Sequence, residues 1–484
     1  MGGNREPLPA SGRPHVLLLC SPCMGHLIPF AELARRLVAD HGLGATLLFA
    51  AATDPPSEQY VPLAASIPDG VDLVALPAPP ADALPPTAPI RERAVHAAVS
   101  SVPRVRDIAQ SLTSTAPLAA LVVDMVSVPA REVATELGVP CYMFFTSPWM
   151  TLSLFLHLPE LDDGLVGEYR DATEPIRLPG CVPIHSHELP GSMLVDRNSD
   201  TYAGFLSMAK DAARVDGILV NTFRGLEPGV SEGTDGVKLP ALHAIGPLVW
   251  NRPVGVSSNH SRVVTWLDQH PRGSVVYVSF GSGGTLTWRQ TTELALALEM
   301  AQRRFVWVVK RPDEATASGA FFGTWQGEDD GEALGFLPRG FIERTSGVGI
   351  VLPSWAPQTA ILAHASVGCF VTHCGWNSSL ESILNGVPMV AWPLYAEQKM
   401  NAAMLEVQAG VAVRLHADQD GFFSKEEIAG AIRRVMDEKE GATIRKRVSE
   451  FSDRAEQAIT KDGSSALALA QVAATWRSSS TGEE

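Results

Sequence analysis

The sequence predicts an α/β protein built from two doubly wound, Rossmann-like parallel-sheet domains facing a cleft, and three observations predict it. Short apolar, β-branched runs alternate with longer amphipathic stretches along most of the chain. The runs are apolar on both faces, as strands are when helices cover both sides of a parallel sheet. A stretch rich in Pro, Gly and Ser at 246–262 then divides the runs into two sets. Two similar domains joined by a linker leave a cleft, and open parallel sheets bind ligands outside the carboxyl ends of their strands.

The first set of runs lies at 15–20, 45–51, 71–76, 120–125, 139–145 and 217–223. After the first run, Leu27, Phe30, Leu33, Ala34 and Leu37 recur at helical spacing in a helix opened by His26. The second set lies at 274–280, 304–309, 349–355, 367–373, 387–392 and 411–415. The predicted boundaries are a domain at 1–246, a linker at 247–262, a domain at 263–460 and a terminal helix at 461–484 that packs back on the first domain. Two stretches fit no element: 78–88, mostly Pro and Ala, and 311–336, rich in Gly and acidic residues and expected to be a mobile surface loop.

Composition excludes several functions. The 484 residues carry a formal net charge of −15, which repels phosphate backbones and argues against a nucleic-acid binder. Hydrophobic residues at 45% and charged residues at 19% suit a packed core. Six cysteines make no disulfide framework and fit a reducing compartment. The polar N-terminus and the lack of any apolar stretch of about 20 residues predict a soluble cytosolic protein. It is expected to act as a monomer.

Familiar motifs fail. There is no P-loop, and the first run is followed by S-P-C-M-G-H, not by the glycine fingerprint of a nicotinamide enzyme. Cys20 and Cys23 form a C-x-x-C, but a redox module of about 100 residues leaves this chain unexplained. Cys369 and Cys374 have the wrong spacing for zinc. Asp418 and Asp420 form a D-x-D whose surroundings break the EF-hand pattern, and Ser424 and Glu427 make it a turn before a capped helix.

The segment 355–398, WAPQTAILAHASVGCFVTHCGWNSSLESILNGVPMVAWPLYAEQ, carries the function. It holds a strand, the loop H-C-G-W-N-S, and a helix from about Asn377 to Asn385 followed by Gly386. Gly and small polar residues at a helix N-terminus make an anion site, since free N–H groups and the positive dipole end point outward. His373 adds a donor for a phosphate oxygen, Trp355 a flat face for a base, and Glu381 an acceptor for ribose hydroxyls. Singly they also read as a core Trp, a capped helix and a surface Glu; together at this spacing they point to a nucleotide.

This segment closely resembles the signature box of plant UDP-sugar-dependent glycosyltransferases. The resemblance extends to P-C-M-G-H-L-I-P-F in the first run, S-F-G-S-G-G-T-L at 279–286 and W-P-L-Y-A-E-Q-K-M-N-A, and is nearest the phenol-glucosylating hydroquinone and monolignol branch. It implies the GT-B fold, with the donor in the C-terminal domain and the acceptor in the N-terminal one. Trp355 would stack on uracil, with the Ala356 backbone at its edge. Gln358 and Glu381 would hold the ribose; His373, Asn377, Ser378 and Ser282 the diphosphate; Trp376, Glu397 and Gln398 the sugar. The family often has Asp at the place of Glu397, which would shift that contact slightly. Gln398, where galactose-using relatives carry His, favours UDP-glucose.

The same resemblance makes His26 the base that deprotonates the acceptor hydroxyl. A helix N-terminus disfavours imidazolium and keeps a His neutral. Asp124, at the end of run 120–125, would hold the His tautomer as the Asp of a hydrolase triad does. On their own these two also read as a capping His and a turn former. The implied reaction is a displacement with inversion at the anomeric carbon, with UDP leaving against a helix N-terminus and His373 and no metal or other cofactor needed. Thr146 or Ser147 would touch the sugar, and Met24, Phe144, Trp149 and Phe155 are acceptor-pocket candidates that also suit a core. C-glucosylation of a flavonoid-like acceptor, and an inactive nucleotide-sugar-binding protein, are the alternatives.

Overall fold

The strands form where β-branched and apolar residues run continuously, and they assemble into two wholly parallel sheets. The computed structural model describes residues 12–53, 60–80, 82–85, 88, 90–231, 239–250, 258–319, 334–437 and 439–481. One unit gathers 1–166, 197–250 and 458–484; the other gathers 167–196 and 251–457.

The first unit holds β1 (His15–Cys20), β2 (Gly44–Ala50), β3 (Val71–Leu76), β4 (Leu118–Val123), β5 (Cys141–Phe145), β6 (Gly217–Val220) and β7 (Ala241–Ala244). Their order is β3-β2-β1-β4-β5-β6-β7. Leu19 sits opposite Leu48 on one side and Val123 on the other. Every residue of β1 from Val16 to Cys20 is fully buried, as a strand covered on both faces requires. The order reverses direction between β1 and β4, so the crevice at their carboxyl ends is the ligand position of this sheet type. The terminal helix Ser464–Thr481 packs on β4, β7 and the helix Met24–His41. Its Trp476 is fully buried, edge-on to Tyr142 at 5.0 Å, and Arg477 donates to the His41 carbonyl at 2.5 Å.

The second unit holds β8 (Val275–Ser279), β9 (Arg304–Val309), β10 (Gly349–Pro353), β11 (Val367–Thr372), β12 (Met389–Ala391) and β13 (Ala412–Arg414). Their order is β10-β9-β8-β11-β12-β13, with Thr372 opposite Ser279 and Ala391. The reversal lies between β8 and β11. One face is closed by Leu294, Leu298, Ile428, Ile432 and Val435 from the helices Trp288–Ala301 and Lys425–Met436.

Several readings change. β7 was missed: it has four residues, is half-exposed and lies between Pro240 and Pro247, so no apolar run marks it. The expected run 120–125 ends as strand at Val123, and 217–223 at Val220, because burial continues past the strand into turns: Asp124 and Phe223 are both fully buried. The segment 167–196 belongs to the second unit, where Glu188 accepts from Arg414 at 2.5 Å. Within the expected linker 247–262, residues 251–257 lie outside the described residues, and the chain is helical from Ser258. Of the expected loop 311–336, residues 320–333 lie outside the described residues; before them, Glu314 accepts from the Trp288 backbone at 2.8 Å. The stretch 78–88 forms turns where it is described.

Candidate active site

In the first unit the site grows from the carboxyl ends of β1 and β4. β1 stops at Cys20, and the helix Met24–His41 begins after Cys23, an extended N-cap with no side-chain cap. This short turn puts His26 in the first helical turn. Asp124, the residue after β4, is wholly buried and accepts four contacts: Ser21 N at 2.7 Å, His26 Nδ1 at 2.9 Å, Val126 N at 3.1 Å and Ser127 N at 2.8 Å. Burial pushes its carboxyl up, but the His26 hydrogen bond and charge and the Ser21 donors outweigh it and hold Asp124 below the ordinary range. An ionised carboxylate only accepts, so Nδ1 of His26 carries the proton and Nε2 keeps its lone pair. The His26 side chain is 21% exposed against 1% for Asp124, which leaves a base with an accessible edge on a buried support. Ser21 Oγ lies 3.1 Å from Nδ1 and completes the cluster.

In the second unit the corresponding ends of β8 and β11 carry Gly281, Ser282 and His373. His373 is buried, with Nδ1 unpartnered among the described residues. Burial first, and the charge of Lys310 second, lower it to about 3, so it is a neutral imidazole. Two glycines allow its seat: a Cβ at Gly375 would stand 2.4 Å from its Nε2, and one at Gly281, where φ is +72°, would stand 2.5 Å from its ring. Gly375 is also the N-cap of the helix Trp376–Leu384 and supplies no side-chain cap, as an anion site at a helix N-terminus requires.

Ser378 and Glu381 stand one turn apart on that helix. Gln358, first residue of the helix Gln358–Leu362, donates through Nε2 to Ser378 Oγ at 2.9 Å and Glu381 Oε2 at 2.6 Å, and its Oε1 accepts from Tyr277 at 3.3 Å. Burial raises Glu381 to about 7, against the lowering effect of the Gln358 bond. Trp355 is 39% exposed beside this trio, while Ala356 and Trp376 are buried. Gln398 opens the helix Gln398–Ala403 after Glu397; its Oε1 accepts from Leu394 N at 2.8 Å and Tyr395 N at 3.0 Å, and its amide nitrogen takes no part in those bonds. Asn401 ties this end to the other by donating to the Cys374 carbonyl at 2.9 Å.

Residues 262–450 match the family described as UDP-glucoronosyl and UDP-glucosyl transferase. Hydroquinone glucosyltransferase of Rauvolfia serpentina is 44% identical over 96% of this chain and 98% of its own. This chain is a plant-type UDP-glycosyltransferase. Among solved structures, Phytolacca americana UGT2 complexed with UDP-2fluoro-glucose and pterostilbene is 38% identical, with a TM-score of 0.85 over 96% of this chain and 99% of that one. A UDP-glucosyltransferase from Polygonum tinctorium capable of glucosylating indoxyl, in complex with 3,4-dichloroaniline, is 39% identical, with a TM-score of 0.86 over 96% and 98%. The fold of the glycosyltransferase is therefore of the GT-B class.

The structure joins His26 to Asp124, and joins Gln358, Ser378 and Glu381 into one network. It seats His373 against the loop that carries Ser282, and sets Asn377 in the first turn of the helix Trp376–Leu384. The acceptor candidates fare differently. Phe144 is fully buried with its ring 5.0 Å from Phe30, Trp149 and Phe155 are also buried, and Met24 is 9% exposed. Thr146 is buried after β5. Sequence reasoning missed Ser21, Asn401 and Lys310. Ser21 sits inside the quoted S-P-C-M-G-H and Asn401 inside the quoted W-P-L-Y-A-E-Q-K-M-N-A; Lys310 lies in no quoted motif and acts on backbone carbonyls. Among the described residues no group of three or more His, Cys, Asp or Glu stands where it could hold a metal, and no helix is long and apolar enough to cross a membrane.

Proposed function

We propose that this glycosyltransferase transfers glucose from UDP-glucose to the hydroxyl of a small phenolic acceptor, with inversion at the anomeric carbon. The observation that carries this reading is the His26–Asp124 pair at 2.9 Å, with the exposed edge of the imidazole bearing the lone pair. The acceptor hydroxyl gives its proton to His26 Nε2, and Asp124 stabilises the imidazolium that forms. The phenolate oxygen attacks the anomeric carbon as the bond to the diphosphate oxygen breaks, and UDP departs with that electron pair. The leaving charge falls to the N-terminus of the helix Trp376–Leu384, to Asn377, Ser378, Ser282 and His373, with no metal required. Trp355 stacks on uracil beside Ala356, Gln358 and Glu381 hold the ribose, and Trp376, Glu397 and Gln398 hold the sugar hydroxyls. The donor belongs to the second unit and the acceptor to the first, next to Met24.

Relatives named for hydroquinone and crystallised with pterostilbene support a phenolic acceptor. The test is turnover of UDP-glucose with hydroquinone, monolignols and flavonoids, followed by mass spectrometry and NMR of the product. The reading predicts an acid-labile β-O-glucoside. An acid-stable product would move the activity to C-glucosylation, an α-glucoside would remove the inversion, and no turnover of any acceptor would leave a nucleotide-sugar-binding protein.

A further inference from the structure

A buried lysine beside the proposed leaving-group residues has no acidic partner among the described residues. Lys310 follows β9 directly, and its Nζ donates to the carbonyls of Gly281, at 2.5 Å, and Ser282. That uses two of the ammonium's three donors. Carbonyls satisfy hydrogen bonds but bring no negative charge, and no acidic side chain of the described residues acts on this group. Buried lysines are rare unless paired. The titratable side chain that feels its charge is His373, which is neutral and cannot compensate it. Lys310 also lines a hollow with Ser279, Gly281, Gly284, Thr285 and Trp307, at the end of β8 where the donor phosphates are placed. A ligand anion entering this hollow would supply the charge that the described residues do not.

We infer that Lys310 is a donor-binding residue of this enzyme: its ammonium is the counter-charge for the nucleotide diphosphate, and it holds the 281–282 loop against His373. The inference rests on the donor reading above. In the ligand-free protein burial lowers Lys310 to about 7. A diphosphate beside it favours the charged form, so at pH 8 binding must bring a proton in with the nucleotide. Uridine, which has no phosphate, brings none, and in both cases Glu381 is already largely ionised at that pH.

The experiment is calorimetry of UDP and of uridine at pH 8, in two buffers of different ionisation enthalpy, on the wild-type chain and on K310M, K310R and W355A. Wild type is expected to take up a proton with UDP and none with uridine. K310M is expected to weaken UDP about ten- to a hundredfold, leave uridine within about twofold, and abolish the uptake. K310R, charged at every working pH, is expected to restore affinity without restoring uptake. Unchanged UDP affinity in K310M, an equal loss for UDP and uridine, or no proton uptake in the wild type would each overturn the inference. If K310M does not fold, the wild-type uptake and K310R decide. W355A separates the two readings: it should weaken both ligands. If it weakens both while K310M weakens neither, Lys310 alone fails; if it weakens neither, the donor reading fails as well.

Discussion

At the scale of single residues, the donor site depends on groups whose ionisation is set by burial. In its proposed ribose-binding role Glu381, raised to about 7, accepts from the hydroxyls most strongly when ionised. Uridine affinity is therefore expected to fall as pH drops through about 7, whereas for UDP the protonation of Lys310 over the same range opposes that fall. E381Q should lower affinity at pH 8 and flatten that acid limb; titrating Kd against pH for both proteins checks it, and an unchanged limb in E381Q would assign the effect elsewhere. Gly281 is fixed by two independent constraints, a φ of +72° and His373 at 2.5 Å from any added Cβ. G281A must bear a left-handed backbone cost of about 1–2 kcal/mol and displace the imidazole. It is expected to lower both the melting temperature and UDP affinity, with uridine affinity less affected; an unperturbed G281A would mean the loop does not seat His373. Gln398 anchors the 394–395 backbone through its oxygen and offers only its amide nitrogen to a sugar. Q398H should narrow the preference for UDP-glucose over UDP-galactose while UDP affinity stays, since discrimination by one hydroxyl depends on leaving a buried polar group unpaired.

At the scale of elements, the site is a set of strand ends and helix starts joined by strained turns. Ser354, Cys374 and Ala396 all have positive φ, at 63°, 63° and 54°, although none is glycine. Each stands immediately before or after a residue proposed to bind the donor: Trp355, His373 and Glu397. Backbone held in that region costs of order 1–3 kcal/mol and persists only where surrounding contacts over-determine it; Asn401, bonded to the Cys374 carbonyl, is one such contact. The helix Trp376–Leu384 contributes its dipole and its first-turn N–H groups, without a side-chain cap at Gly375. On the proposed reading the helix N-terminus and Lys310 supply positive potential for the leaving diphosphate and the neutral His373 a hydrogen bond, so activity is expected to survive EDTA. Complete loss on chelation, restored by Mg²⁺, would contradict this account of the leaving group.

At the scale of the whole molecule, much of the fold was legible because buried parallel strands have no polar face, and the run 15–20 is an example that the structure reproduces to the residue. What was not legible depends on contacts distant in sequence. β7 is a short edge strand among prolines, and 167–196 is claimed by the second unit through Glu188 and Arg414. In the site, glycines and box residues were legible as types at a spacing, whereas Lys310, and the contact that Asn401 of the quoted W-P-L-Y-A-E-Q-K-M-N-A makes, became visible only once their carbonyl partners were in place. Acid stability also belongs at this scale. His15, in the first unit, is lowered to about 4, and His373, in the second, to about 3, both chiefly by burial. In the unfolded chain each binds a proton near 6.5, so below that pH the unfolded state holds more protons and stability falls until the folded values are reached. At pH 5 each group is expected to cost about 2 kcal/mol relative to pH 7, measurable as a drop in the urea midpoint; no drop would mean the two imidazoles are not buried neutral. The central claim is a division of labour, with the base on one unit and the donor on the other. Its most direct test is H26A, assayed for turnover with a phenolic acceptor and, in the same preparation, for UDP affinity. The account predicts that kcat falls about 10²- to 10⁴-fold, the usual contribution of a general base, while the Kd for UDP is unchanged. Near-normal turnover, or a loss of UDP binding in parallel with kcat, would contradict it.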